Sequence, residues 1–534
     1  MNDLQSRFRH GLAVAPERVA LRVGSVELTY AQLHERALCE AGSLLRATGG
    51  VRRVGVLADR TPAAYIGLLA TLYAGATVVP LNVGYPVART AAMVTAAGVD
   101  AIIADRRGGA LLAEVYRITG PVPTALIDDD APAVAGLSGI ARSDAHRLGR
   151  PATGTGIAYL MFTSGSTGAP KGVPVSHANV DHFLRCCERR YRFQPGEVFS
   201  QTFDHTFDLS VFDLFVAWGA AGTLVTVPRF AVGRLASVVR RHQITVWFSV
   251  PSSILVAHRT GGLAPGSMPS LRWSLFCGEA LRGEDAQRWL AAAPNATLEN
   301  LYGPTELTIA CSVHRVDPQR LAGSLVNGVV PIGDLLDGST GVLLDADGAP
   351  ADEGELCVTG PQMFDGYLDQ ADSAGRFVEV AGVRHYRTGD RVRRLPDGQL
   401  AYLGRTDQQV KINGYRVELP AIEWCLRQYP GVVEAAVVAP AVGADQERQL
   451  AAFYTGSQSP ERDLLRHLRE RLPAHAVPRA LWYVDALPHG GNAKIDRPTL
   501  SRRAADLLAT PEQESPPPGN PANSYKLSGT SSSS

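Results

Sequence analysis

From about residue 28 to 330, apolar β-branched runs alternate with Ala/Leu/Arg-rich stretches. VRRVGVLA (51–58), VDAIIAD (99–105) and ITVWFSV (244–250) read as strands, and PAAYIGLLATLYAG (62–75) as a helix between such strands. This alternation predicts βαβ units and largely buried parallel sheets. From about 340 to 404 the runs become short and are separated by turns such as DADG and LPDG, which predicts a smaller antiparallel β-region. After Gly404 a second α/β stretch begins, with strands near VVEAAVVAP and QLAAFYT and an amphipathic helix at ERDLLRHLRERL. The segment beyond about 508 is rich in Pro, Ser and Asn, cannot bury enough apolar surface to fold, and is expected to be disordered. No internal repeat interrupts this order.

Composition narrows the picture without changing it. At 534 residues the chain exceeds what one hydrophobic core supports and should divide into domains. Its 52 basic residues balance 52 acidic ones, so no global field recruits nucleic acid or an anionic membrane. Seven scattered cysteines without a CxxC pair, and no histidine clustering at ligand spacing, predict a reduced protein without structural zinc. Cys186 and Cys187 lack a nucleophilic partner pattern and are assigned to packing. The N-terminus, MNDLQSRFRH, has no apolar core of a signal peptide, and no apolar stretch reaches membrane-span length. A soluble, unexported, cytoplasmic protein is expected.

The chemistry is concentrated first in LMFTSGSTGAPKGVP (160–174), where an apolar run leads into Gly, Ser, Thr and Pro residues and one lysine. Backbone amides unshielded by side chains, hydroxyl donors and a single positive charge together suit a phosphate cradle. The spacing is not that of GxxxxGK[ST], because two residues separate Gly168 from Lys171 and no Ser or Thr follows the lysine.

This stretch resembles the phosphate loop of the adenylate-forming superfamily, which includes acyl-CoA synthetases, luciferases and the adenylation domains of nonribosomal peptide synthetases. The family's other motifs follow in order. They are LTYAQL (28–33), LYAGATVVPLN (72–82), FDLS (207–210), NLYGPTE (300–306), GELCVTG with GYL (354–360, 366–368), YRTGD (386–390), GRTDQQVKINGYRVEL (404–419), LPAHAVP (472–478) and GNAKIDR (491–497). The resemblance covers about residues 20 to 500, and the spellings are closest to amino-acid-activating adenylation enzymes.

The resemblance implies that a carboxylate attacks the α-phosphorus of ATP, giving an acyl-adenylate and pyrophosphate, followed by transfer to a nucleophile. By motif, Thr163, Ser164, Gly165, Ser166, Thr167, Gly168 and Lys171 would hold the β- and γ-phosphates. Tyr302 would stack on adenine, Thr305 would lie near the α-phosphate, and Glu306 would ligate Mg²⁺. Asp390 would accept from the ribose hydroxyls, with Arg405 completing the nucleotide clamp, and Lys494 would bridge substrate carboxylate and α-phosphate. Asp407 matches the family hinge. The implied fold is a large N-terminal domain of layered α/β sheets plus a small β-region (1–404), a hinge (405–407), a mobile C-terminal α+β lid domain (408–507) and a disordered tail (508–534).

Asp208 in FDLS matches the aspartate that pairs with the substrate α-ammonium in amino-acid-activating members; a fatty or aryl acid brings no cation to such a site. Motif anchoring adds Leu209, Phe212, Ser252, Leu275, Cys277, Leu301, Ile309 and Ala310, together with Lys494, to the pocket. This mostly apolar lining suggests a small side chain: alanine first, then serine or glycine, with a β-amino acid as the alternative. An acyl-CoA ligase and a non-catalytic binding protein of the same fold are the competing readings.

Several positions leave the pattern without removing an ATP or magnesium ligand: Asn82 for aspartate, Leu335 for proline, Asn413 for arginine, Pro420-Ala421 for Gly-Glu and Ala493 for glycine. Those near Asn413 and Pro420 touch the face that would meet the acceptor. No LGGxS carrier motif follows and no HHxxxDG condensation motif precedes the core. The chain is therefore expected to be free-standing and to serve a separate acyl or peptidyl carrier protein in a peptide or polyketide assembly line. The acceptor would be the thiol of its phosphopantetheine arm or the amine of a carrier-bound substrate.

Overall fold

The computed structural model describes residues 3–127, 140, 146–163, 169–443, 447–489 and 495–509. Ser164, Gly165, Ser166, Thr167, Gly168, Ala493, Lys494 and most of the expected tail lie outside the described residues.

A nine-stranded sheet runs in the order Asp334–Leu335, Ser312–Arg315, Thr297–Tyr302, Trp273–Phe276, Val246–Ser249, Val198–Gln201, Thr223–Thr226, Val19–Val23, Val26–Thr29. A six-stranded sheet has the order Thr124–Leu126, Ala101–Ala104, Arg53–Leu57, Thr77–Leu81, Ile157–Thr163, Lys171–Ser176. Their central strands are parallel, and Ala101–Ala104 and Val246–Ser249 are buried at every position. That is why they read as unbroken apolar runs rather than alternating ones.

The edges depart from the parallel expectation. Thr297–Tyr302, Ser312–Arg315 and Asp334–Leu335 pair antiparallel, as do Val19–Val23 with Val26–Thr29 and Ile157–Thr163 with Lys171–Ser176. The connections after Val23, Thr163 and Tyr302 are too short for a crossover helix, so the chain turns back there, whereas the segment between Arg315 and Asp334 holds the short helix Leu321–Ser324. Consequently Thr163 and Lys171 face each other in register, at the base of the Gly/Ser stretch.

Local chemistry sets the helix ends. Thr29 and Gln32 form a capping box that opens the helix Tyr30–Thr48, and Gly49, at φ +70°, closes it. The helix Pro62–Tyr73 is apolar around its whole circumference and is buried almost throughout, packed against Tyr30–Thr48 between the layers. A five-stranded antiparallel sheet spans residues 340–405. Beyond it come the hairpin Gln409–Ile412 with Tyr415–Glu418 and a three-stranded sheet of Val432–Val438, Ala451–Gly456 and Ala480–Tyr483. The helices Leu419–Arg427 and Glu461–Arg469 cover the three-stranded sheet. The core of this second part is separate from the main core, and Phe207 packs against both. All seven cysteines are free and buried. Among the described residues no helix is long and apolar enough to cross a membrane.

Asn82 has a structural reason. Its Nδ2 donates to Asp204 Oδ2 at 2.7 Å, while Asp204 Oδ1 accepts from the Thr206 amide (3.0 Å) and hydroxyl (2.6 Å). An aspartate at 82 would set two carboxylates face to face. Asn82→Asp is expected to lower the thermal midpoint at neutral pH by about 1 °C, as loss of ~1 kcal/mol would in a chain of this size. An unchanged midpoint in a melting experiment would show that Asp204 does not select asparagine there.

Candidate functional site

The two parts of the chain meet over a cleft. On the large side, the strand Thr297–Tyr302 ends in Gly303-Pro304 and a single 3₁₀ turn, Thr305–Leu307, which delivers Tyr302, Thr305 and Glu306 in succession. The helix Leu209–Gly219 starts at Asp208, whose side chain makes no capping bond and faces the cleft instead.

Asp208 is 6% exposed, and among the described residues no cation forms an ion pair with it. Its Oδ2 accepts from the Ile309 amide at 3.2 Å, and the Thr305 hydroxyl also hydrogen-bonds the carboxylate. Burial pushes its carboxyl up to about 6 against these two bonds; the Glu306 charge adds to the rise and the Lys411 ammonium opposes it. Leu209, Cys277 and Ile309 share this cleft, and burial raises the Cys277 thiol to about 12, so it serves as an apolar wall. Phe212, Leu275 and Ala310 lie fully buried behind the wall. Ser252 and Leu301 line the neighbouring cavity instead, where the Ser252 amide donates to Glu279 Oε2 at 2.8 Å.

That neighbouring cavity, of about 580 Å³, is bounded by Gly278, Tyr302, Asp390 and Arg405. The Tyr302 hydroxyl donates to Asp390 Oδ2 at 2.6 Å, and Arg405 Nη1 donates to Asp390 Oδ1 at 2.8 Å. The same guanidinium grips Asp407 with Nε and Nη2, both at 2.7 Å. Burial tends to raise the Asp407 carboxyl, and the Arg405 charge more than reverses this, leaving it below its ordinary range. Gly389, at φ +72°, is required here, because a Cβ would lie 2.6 Å from Arg405 Nη2.

Glu306 is fully buried. Arg416 Nη1, from the hairpin of the small part, donates to both of its oxygens at 2.9 Å, and the Tyr367 hydroxyl donates to Oε1 at 2.5 Å. Burial raises the Glu306 carboxyl, but Arg416 and Tyr367 overcome that and hold it below the usual carboxylate range. Lys171 sits nearby, 2.9 Å from Asp372 and 5.7 Å from the Tyr367 ring centre.

The hairpin tip is anchored elsewhere too. The Gly414 amide donates to Glu279 Oε1 at 2.6 Å, Tyr415 meets Phe207 edge-on at 4.7 Å, and His475 stacks on Tyr415 at 3.7 Å. Gly414, at φ +81°, has no room for a Cβ, which would fall 2.4 Å from Val250. Lys411, Tyr415 and Arg416 all lie in GRTDQQVKINGYRVEL, so the signal for them was the basic and aromatic residues of that motif. Tyr367 and Phe207 likewise stand in the motifs GYL and FDLS, while Glu279 lies in none of the motifs quoted above.

As a metal site, Glu306 supplies the hard oxygen donors that magnesium favours beside phosphates. They would fit Mg²⁺ only with Arg416 displaced, since both are engaged by the guanidinium in this arrangement.

A family model described as AMP-binding enzyme matches residues 8–368, and one described as AMP-binding enzyme C-terminal domain matches residues 421–494. The L-proline--[L-prolyl-carrier protein] ligase of Streptomyces coelicolor is 34% identical over 510 residues, covering 92% of this chain and 94% of the relative. Phosphinothricin tripeptide synthetase PhsC of Streptomyces viridochromogenes is 35% identical over 91% of this chain, which spans 44% of that relative's length. Among solved structures, IdnL7 is 46% identical with a TM-score of 0.73, covering 95% of this chain and 99% of its own. The Vibrio cholerae adenylation domain AlmE, in complex with glycyl-adenosine-5′-phosphate, is 29% identical with a TM-score of 0.82, covering 95% and 98%. Matched in both of its parts, the chain belongs to the AMP-binding enzyme family, the adenylate-forming, ATP-dependent ligases.

Proposed function

We propose that the protein activates a small amino acid, L-alanine first and then serine or glycine, as its adenylate and passes the aminoacyl group to a carrier protein. The observation that carries this reading is Asp208: a buried carboxylate with no ion-pair partner among the described residues, beside the apolar walls of Leu209, Cys277 and Ile309. An α-ammonium group supplies the missing cation. The relatives named for prolyl-carrier ligation and for a glycyl-adenylate complex support a small amino acid and a carrier acceptor.

In the first step a carboxylate oxygen of the amino acid attacks the α-phosphorus and the bond to pyrophosphate breaks. Asp208 holds the amine, Asp390 and Arg405 the ribose, and Tyr302 the adenine. Thr163, Lys171 and the loop between them hold the departing phosphates. Lys494, outside the described residues, is assigned to the reacting carboxylate and α-phosphate. Glu306 would hold Mg²⁺, which neutralises charge on the phosphates. In the second step the acceptor's sulfur or nitrogen attacks the carbonyl carbon, and the carbon–oxygen bond to AMP breaks.

Arg416 and a magnesium ion claim the same Glu306 oxygens, so the arrangement seen here, with the hairpin tip docked, belongs to the second step rather than the first. Turning at Asp407 exchanges one for the other.

The test is ATP–pyrophosphate exchange across the proteinogenic L-amino acids, D-alanine and several β-amino acids. Alanine is expected to give the highest kcat/KM, with leucine at least tenfold lower because added methylenes meet the Leu209 and Ile309 walls. Exchange with β-amino acids alone, or with simple carboxylic acids, would overturn the assignment of Asp208 to an α-ammonium group.

A further inference from the structure

Two β-branched residues in succession carry a left-handed backbone beside the substrate cleft, Thr308 at φ +58° and Ile309 at φ +73°. Branched side chains strongly disfavour that region, so such a pair persists only where its surroundings hold it. The turn has a use at Ile309, whose amide donates to Asp208 Oδ2 at 3.2 Å while its side chain lines the cleft. What holds the turn takes no part in the chemistry above.

The holder is Gln362, in the stretch PQMFD between the motifs GELCVTG and GYL. It is 1% exposed, and its Nε2 donates to the Ala310 carbonyl at 2.8 Å, to that of Leu307 at 3.2 Å and to that of Thr308 at 3.3 Å. Two amide hydrogens are thus shared among three carbonyls that bracket the left-handed pair. In return the Thr308 hydroxyl donates to the main-chain carbonyl of Gln362 at 2.6 Å. The side-chain oxygen of Gln362 has no partner among the described residues, so it is the donors of the carboxamide that the site uses. An apolar side chain of similar size would fill the space and leave those carbonyls without these bonds.

The clamp is local. Glu306, on the far side of Leu307, is held separately, by the Phe364 amide on its main-chain oxygen at 3.0 Å. Loosening Gln362 therefore frees the turn that faces the amino acid and leaves the residue assigned to magnesium anchored. Gln362 itself lines neither of the two cavities described above, so it acts only through that turn. We propose that Gln362 is a positioning residue for the amino acid: its carboxamide holds the left-handed Thr308–Ile309 turn, and the turn sets the Ile309 amide on Asp208 and the Ile309 side chain in the cleft wall. This rests on the assignment of Asp208 to the substrate ammonium group.

The test compares wild type with Gln362→Met, which keeps the volume without the donors, and with the double variant Gln362→Met/Thr308→Gly. Deuterium uptake by the amides of residues 306–311 is read by mass spectrometry without ligands, and KM and kcat for L-alanine, L-leucine and ATP by pyrophosphate exchange. In Gln362→Met the uptake at 306–311 should quicken by about tenfold while that of the strand Thr297–Tyr302 stays as in wild type. The KM for alanine should rise by about tenfold, with kcat and the KM for ATP within about twofold. The kcat/KM of leucine relative to alanine should rise by about threefold, because the Ile309 wall yields. Glycine carries no steric cost at positive φ, so Thr308→Gly should recover part of the lost affinity for alanine in the Gln362→Met background. Gln362→Asn, whose amide stops one methylene short, should repeat the pattern more weakly, and it carries the test if Gln362→Met does not fold.

An unchanged KM for alanine, with or without quicker uptake, would overturn the proposal. So would a fall in kcat and a rise in the KM for ATP as large as the rise for alanine, which would make Gln362 a support of the whole site. A double variant no better than Gln362→Met would show that Gln362 packs the region rather than holding its backbone conformation. Quicker uptake at 306–311, in a protein whose wild type shows no alanine-dependent exchange of pyrophosphate, would uphold the hold on the Ile309–Asp208 contact and overturn the ammonium reading alone.

Discussion

Asp208→Ala and Asp208→Asn are both expected to lower kcat/KM for the amino acid in pyrophosphate exchange by roughly 10²- to 10³-fold, with the KM for ATP little changed. Removing one partner of a buried charge pair costs about 3–5 kcal/mol, because the other charge is left desolvated. The loss should fall on the amino acid, since Asp390 is bonded to Tyr302 and Arg405, and none of these three is a hydrogen-bond partner of Asp208.

The same residue makes a stability prediction of opposite sign. Its carboxyl is pushed up to about 6 by burial, above its value in the unfolded chain. The folded state therefore binds the proton more tightly, and keeping Asp208 ionised costs stability in full above about pH 6. That cost fades as the pH falls through 6 toward the ordinary carboxylate range. Asp208→Asn should raise the ligand-free midpoint at neutral pH, by an increment on the order of 2–3 kcal/mol at most, and the gain should vanish near pH 4. A variant that melts lower than wild type at neutral pH would show the carboxylate to be a structural acceptor for Ile309 rather than a waiting ligand.

Arg416→Ala is expected to separate the two half-reactions. Without the guanidinium, docking the small part leaves Glu306 buried with the Tyr367 hydroxyl as its remaining side-chain donor, at a cost of about 3–5 kcal/mol. Transfer to a carrier thiol should fall at least tenfold. Exchange should persist within about threefold and should need less Mg²⁺, because a competitor for the Glu306 oxygens has been removed. Both rates measured on one preparation across a magnesium titration decide the matter. An equal fall in the two rates would mean that Arg416 acts in adenylation as well, and that the docked arrangement is not specific to transfer.

How far the sequence spoke depended on the range of the interaction. Strands buried on both faces, such as Ala101–Ala104, announce themselves because every position must be apolar. Their order does not: Val198–Gln201 lies between Val246–Ser249 and Thr223–Thr226, and periodicity carries no information on such neighbours. The Asp208 carboxylate could be singled out because FDLS matches a motif of the family that the chain resembles. The motif spacing that grouped Ser252 with it did not distinguish which side of Gly278 a side chain faces, and Gly278 borders both cavities. Glu306 and Arg416 each stand in a legible motif, yet their pairing spans 110 residues and depends on how two separately cored parts are turned.

Tyr302, Asp390, Arg405 and Asp407 form one unbroken line of hydrogen bonds from the end of a large-domain strand to the connector between the two parts. A ribose held at Asp390 would share its oxygens with Tyr302 and Arg405, and Arg405 is also the clamp on Asp407. Under the proposed ribose assignment, the carboxylate that reads the nucleotide and the guanidinium that holds the connector would be direct neighbours, one hydrogen bond apart.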